Sequence, residues 1–176
     1  MKRSKSVRLV AMGTGLFLVA ACDEAKVDTA VFETAKQCQE LGFTADECRA
    51  NYERARTMHT EVAPKYTSKE ACESDFGAAQ CETAPQQTAS GGSVFMPLMM
   101  GYMMGSMLSG NRGATTQPLY RSRDDRSTFR TADNKSVGSQ TGRVQVASSA
   151  ATAPTTKTRT VSRGGFGANA RSTVAG

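Results

Sequence analysis

Five cysteines, one histidine and nine methionines carry the soft and titratable chemistry of this 176-residue chain. Cys38 and Cys48 are separated by nine residues and Cys72 and Cys81 by eight. Structural zinc sites draw their ligands from closely spaced Cys pairs with nearby histidines. These gaps are too wide and His59 is the single histidine, so no metal site is expected, and the even count points to two disulfides. A Ser-His-Asp system would need His59 as its base, and no nucleophile elbow or glycine-rich oxyanion loop accompanies it. Carboxylates such as Asp46 and Glu47 suit helix-capping and solvated positions. The sequence therefore predicts no enzyme, no catalytic residue and no cofactor. Methionine is the remaining donor: Met96, Met99, Met100, Met103, Met104 and Met107, six of the nine, fall in VFMPLMMGYMMGSMLSG, residues 94–110. Thioethers bind Cu(I) and also act as adaptable hydrophobes. The second use also accounts for the interleaved glycines, and Cu(I) binding stands as the alternative.

The fifth cysteine has a different setting. Lys2, Arg3, Lys5 and Arg8 precede an apolar run over residues 9–20, the pattern of a secretory signal peptide. Twelve residues make only ~18 Å of helix against a bilayer core of ~30 Å, too short for a permanent span. Leu18-Val19-Ala20-Ala21-Cys22 resembles the lipobox of bacterial lipoproteins. That resemblance implies removal of residues 1–21, diacylglycerol on the Cys22 thiol and a fatty-acylated (palmitate-type) N-terminus, which together anchor a protein stably to membrane lipid. Asp23 followed by Glu24 resembles an inner-membrane retention signal. The expected location is the bacterial cell envelope, facing the periplasm, where disulfides persist.

Elements must position these residues, and the local signals are helical. Thr44 and Glu47 form a capping-box pattern opening a helix with Cys48, Tyr52, Ala55, His59 and Val62 on one face, stopped by Pro64. Thr34 with Gln37, and Ser68, open two shorter helices, and Gly42 and Gly77 end them. FETAKQCQELGFTADEC and YTSKEACESDFGAAQC form an internal repeat. Each has an aromatic six residues before its first cysteine (Phe32, Tyr66), Thr34 or Ser68 four before it, and a phenylalanine (Phe43, Phe76) five before the second. The repeat favours pairing Cys38 with Cys48 and Cys72 with Cys81, with the crossed pairings still open. A core of Phe32, Leu41, Phe43, Tyr52, Val62, Tyr66 and Phe76 is thin, and two disulfides at ~2–4 kcal/mol each would supplement it.

The expected fold is mainly α. After the signal peptide come a tether at 22–31, a disulfide-stapled helical lobe at 32–82, a linker at 83–93, a short Met/Gly-rich apolar helix at 94–110 and a largely disordered basic tail at 111–176. Residues 23–93 carry 7 Lys/Arg and 13 Asp/Glu, a net of −6, whereas 111–176 carry 11 and 3, a net of +8. Such a tail suits the acidic lobe or an anionic surface. Residues 129–137 carry a hairpin signal about Asp133-Asn134. In the apolar segment Pro97 suits a first helical turn, and Gly101, Gly105 and Ser109 give a small-xxx-small pattern. A helix apolar all round must be buried in something. Phe95, Met96, Pro97, Leu98, Met99, Met100, Gly101, Tyr102, Met103, Met104, Gly105, Met107 and Leu108 are therefore expected to contact a membrane interface, an envelope protein or a second copy. Covering the lobe's own core is the alternative. Near the end, Arg163, Gly164, Gly165, Phe166 and Gly167 form an Arg-Gly-Gly motif. An exported chain does not meet cytoplasmic RNA, so no nucleic-acid partner is expected.

The order of lipobox, two cysteine pairs, APKYTSKEAC, FMPLMMGYMMG, QPLY and terminal VSRGGFG resembles the YgiB-like family of uncharacterised bacterial envelope lipoproteins. The resemblance implies no established activity. Its members are often encoded beside enzymes similar to glutathionylspermidine synthetase, of the ATP-grasp ligase type, which implies a tail that is substrate or partner of such a ligase. The function expected from the whole is that of a non-enzymatic binding or assembly factor anchored in the envelope.

Overall fold

Thr34, Thr44 and Ser68 each turn a side-chain oxygen onto a backbone N–H two or three residues into a helix, satisfying a donor that the helix itself cannot. They open α1 (Ala35–Glu40), α2 (Ala45–Val62) and α3 (Lys69–Phe76), and Glu47 completes the capping box of α2. Gly42, at φ +91°, takes the chain out of α1 where a side chain would be strained. Cys38 is bonded to Cys48 and Cys72 to Cys81, with Cα separations of 5.8 and 6.2 Å, so the pairing favoured by the repeat is the one present. The first bond joins α1 to α2 and the second joins α3 to a strand.

The computed structural model describes residues 24–88, 90–105, 115–154, 160–161 and 165–167. Among these, ten strands accompany four helices, so the expectation of a mainly α chain is wrong. One sheet, in the order β6-β5-β1-β9, joins β6 (Gln117–Leu119), β5 (Gly101–Met104), β1 (Lys26–Phe32) and β9 (Gly142–Ala147), all antiparallel. A second, in the order β10-β2-β4-β3, joins β10 (Thr160–Val161), β2 (Lys65–Tyr66), β4 (Ser93–Pro97) and β3 (Cys81–Gln87). β7 (Phe129–Arg130) and β8 (Ser136–Gly138) form the hairpin expected about Asp133-Asn134. α4 (Ser148–Ala151) follows β9 directly.

Residues 94–105 are thus no helix: they run through β4, a connection at 98–100 and β5, and 106–110 lie outside the description. The reason is burial of the first sheet on both faces. From β5, Met103 points to one side with Val31, Leu119, Phe129 and Val146. Tyr102 and Met104 point to the other, with Phe32, Ala55 and the Cys38–Cys48 bond. A central strand covered on both faces reads as an unbroken apolar run, and periodicity cannot separate it from a buried helix. Residues 83–93 belong to the β3–β4 hairpin rather than a linker. The region 111–176, expected to be disordered, supplies β6 to β10 and α4. Its strands are short, and β7, β8 and β9 are only partly buried, so few large apolar residues are needed to place them.

Where the chain leaves β5, a buried polar relay fixes its course. Asn51 on α2 donates to the Glu47 carbonyl at 2.8 Å, Thr116 donates to the Asn51 Oδ1 at 2.7 Å, and the Gly105 N–H donates to the Thr116 hydroxyl at 2.8 Å. Every side-chain group in the relay finds a partner, as burial demands. No helix among the described residues is long and apolar enough to cross a membrane.

Candidate functional site

Of the tail motif, Gly165, Phe166 and Gly167 are described, and Arg163 and Gly164 lie outside the described residues. Phe166 is 5% exposed and enters the core beside the second sheet. Its ring centroid lies 4.7 Å from that of Phe76 and 6.1 Å from that of Tyr120, tilted on the first and edge-on to the second. Such offset and edge-on contacts are the ones aromatic quadrupoles favour. The flanking backbone is held by side chains of the body. Gly165 N–H donates to Asp75 Oδ2 at 3.2 Å, Asn134 Nδ2 donates to the Gly167 carbonyl at 2.9 Å, and the Gly167 N–H donates to Asn134 Oδ1 at 3.1 Å.

Local sequence explains each part. Ser68 caps α3, and Cys72, Asp75 and Phe76, three and four residues apart, share its inner face. The Cys72–Cys81 bond ties that helix to β3. Asp75 Oδ2 also accepts from the Tyr66 hydroxyl at 2.8 Å. Burial, and then the Asp75 charge, push the Tyr66 phenol well above its usual range, so it stays protonated and donates. Asn134 sits at φ +61° in the β7–β8 turn, a conformation Asn tolerates better than most residues. Gly167 has φ +99°, and a Cβ there would collide with the Asp124 carboxylate, so only glycine fits. Upstream, β10 runs parallel to β2, Thr160 opposite Lys65 and Val161 opposite Tyr66. A strand added to a sheet edge plus one anchored side chain is a standard mode of peptide recognition.

Tyr120 forms the back of this socket and connects it to His59. Its hydroxyl lies 2.9 Å from His59 Nδ1, and His59 Nε2 lies 3.1 Å from Glu82 Oε1. Burial holds the Tyr120 phenol far above its usual range, so the hydroxyl donates to Nδ1 and Nε2–H donates to Glu82. Burial also lowers the His59 pKa, against the opposing pull of Glu82. Both ring nitrogens are committed to packing. Lys65, buried nearby, donates to the Thr60 carbonyl at 2.8 Å and the Ala63 carbonyl at 3.3 Å, filling acceptors left open at the end of α2. Desolvation lowers its pKa.

The other expected residues are scattered. Cys22, Met107 and Leu108 lie outside the described residues. Phe95, Met96 and Pro97 are in β4, Leu98, Met99 and Met100 connect it to β5, and Gly101, Tyr102, Met103 and Met104 form β5, followed by Gly105. Met96, Met103 and Met104 are buried in three separate clusters, so these thioethers do not converge on one ion. Met104 Sδ lies 3.9 Å from Cys38 Sγ; a disulfide sulfur has no proton, so this is packing. Among the described residues no three His, Cys, Asp or Glu side chains gather as metal ligands. The residues missed from sequence are Asp75, Asn134 and Tyr120. Asn134 had a turn signal and Tyr120 stood in the QPLY block, but neither signal spoke of a partner in the tail.

A family model described as a protein of unknown function (DUF1190) matches residues 26–175. The chain is similar to a UPF0441 protein of Erwinia tasmaniensis, 35% identical over 170 residues that cover 88% of this chain and 76% of the relative. It is likewise 35% identical to a UPF0441 protein of Serratia proteamaculans, over 88% of this chain and 77% of the relative. A third, from Pectobacterium atrosepticum, is 34% identical over 88% of this chain and 76% of the relative. No solved structure matches.

Proposed function

The chain belongs to the uncharacterised bacterial DUF1190 family, and from that premise we propose that it is a lipid-anchored envelope protein acting as a non-enzymatic binding or assembly factor through its aromatic socket. Cys22 carries the lipid, the body faces the periplasm, and Asp23 with Glu24 favours the inner membrane. The two disulfides support an oxidising compartment. The observation that carries the binding half is the seating of Phe166 between Phe76 and Tyr120, with Asp75 and Asn134 on the neighbouring backbone. Side chains that grip peptide N–H and C=O groups around one buried ring recognise a peptide; they do not transform it.

Two measurements test this. Palmitate labelling in the host, followed by membrane fractionation, should place the wild-type chain with the membrane and leave Cys22→Ser unlabelled and released. Label in neither protein would end the anchor. A fluorescent peptide of residues 160–176 titrated into the Phe166→Ala chain, whose socket lacks its own ring, should bind saturably. Adding Asn134→Gly should weaken it about tenfold, the worth of hydrogen bonds lost. A peptide that binds neither variant saturably would end the socket reading.

A further inference from the structure

All the groups that receive the tail belong to the body: the β2 edge, Phe76 and Asp75 on α3, Tyr120, and Asn134 in the β7–β8 turn. The socket therefore does not depend on which copy of the chain delivers the segment. Its demands are specific. It takes one aromatic ring, a backbone N–H before it for Asp75, and after it a residue without a Cβ beside Asp124. Carboxylates at Asp75 and Asp124 suit a cationic strand and disfavour an acidic one. Residues 155–176 contain Lys157, Arg159, Arg163 and Arg171 and no acidic residue. The chemistry of the occupant is thus that of this chain's own tail, which every other copy also carries.

Resting on the socket reading above, we infer that copies of this chain exchange tails, Thr160 and Val161 of one copy filling the β2 edge and Gly165, Phe166 and Gly167 the aromatic socket of another. Exchange forms the contacts already present within one chain, so the two arrangements differ mainly in the entropy of connection. Within a chain the socket meets its own tail at an effective concentration on the order of millimolar, the range for two groups joined by a short stretch of chain. Copies held in one membrane plane compete against that figure, where dilute copies in solution do not. Reciprocal exchange closes a two-fold dimer with both sockets filled, and one-way exchange leaves one socket and one tail to continue an open series.

The test puts a photoreactive benzoylphenylalanine at position 166 of the full chain and mixes it with 15N-labelled wild-type copies in lipid vesicles before irradiation. Mass spectrometry of the crosslinked peptides should find the unlabelled probe peptide joined to 15N peptides containing Phe76 or Tyr120. Crosslinks from the probe to Phe76 or Tyr120 of its own chain alone would overturn exchange and leave the socket standing. Crosslinks to other parts of the body would overturn both. A second measurement avoids the bulkier ring: wild-type and Phe166→Tyr chains should dimerise as concentration rises and Phe166→Ala should not. A wild-type chain that stays monomeric to about millimolar concentration, or an Ala variant that dimerises equally, overturns exchange.

Discussion

Asn134 grips Gly167 by both halves of its amide, donating to the carbonyl at 2.9 Å and accepting from the N–H at 3.1 Å. Because Asn134 sits at φ +61°, Asn134→Gly removes the grip without straining the turn. Amide exchange over residues 160–167, read by mass spectrometry, should speed up about tenfold or more, since a net hydrogen bond contributes about 1 kcal/mol and two are lost. Exchange in β1 and β5 should stay unchanged. Undiminished protection of the tail in this variant would show that the amide does not hold it.

His59 sets a pH dependence whose direction follows from its burial. Its pKa lies below the ordinary 6.5, chiefly through desolvation, with Lys65 and Arg56 adding to the fall and Glu82 opposing it. Above about pH 6.5 the imidazole is neutral in folded and unfolded chains alike, and stability is full. As pH drops below that, the unfolded chain takes up a proton that the folded chain resists, so stability declines toward the lowered folded pKa. Urea unfolding at about pH 7.5 and about pH 5.5 should show this decline in the wild type and a shallower one in His59→Gln. Equal slopes in the two proteins would assign the dependence to other groups.

Gly101 serves close approach within a sheet. A Cβ at this position would stand 2.9 Å from the Phe32 carbonyl oxygen and 3.0 Å from a ring carbon of Phe129, a ring that also carries the Arg121 guanidinium 4.0 Å from its centre. Gly101→Ala should cost about 1–3 kcal/mol, the usual penalty for overpacking, and lower the melting temperature. A helix-association motif would instead weaken oligomers at unchanged monomer stability. Calorimetry alongside sedimentation separates the two.

The Tyr102 hydroxyl is buried with no hydrogen-bond partner among the described residues. Burial first, and then Tyr52, push its pKa up to about 12. Its ring packs 5.7 Å from both Phe32 and Tyr52, contacts that phenylalanine would keep. Tyr102→Phe should therefore be neutral or stabilising by up to about 1 kcal/mol, since it deletes an unsatisfied polar group and leaves the shape intact. A loss of that size in chemical denaturation would mean the hydroxyl has a partner.

What could be read from sequence was what is decided within a few residues. The caps at Thr34, Thr44 and Ser68 and the stop at Gly42 are local contests, and they came out as the residues indicated. On α2, Cys48, Ala55, His59 and Val62 face inward as spaced, Tyr52 packs half-buried against Tyr102, and Asn51 joins the buried face because it meets Thr116. The repeat is real in its first half, where Phe32 and Tyr66 each end a strand that leads into a capped helix. It diverges in the second: Cys48 enters a helix with a continuous face, while Cys81 opens a strand whose Pro85 would break a helix. β5 was unreadable because both its faces are covered. The socket was unreadable because Phe166 meets Phe76 and Tyr120 and Gly167 meets Asn134, positions that no local pattern connects to the tail.

The place of β1 in the first sheet has a consequence for how the molecule is made. β1 is the first of the described strands to emerge, yet it is central, with Ala30 opposite Met104 on one side and Val27 opposite Val146 on the other. A chain threaded out from its N-terminus presents Ala30, Val31 and Phe32 with both backbone edges open until residues 101–104 arrive, and with one edge still open until residues 142–147 follow. Loops this long are slow to close, so assembly of the sheet waits on nearly the whole chain. During that wait the unpaired edge of β1 is open to pairing with another chain.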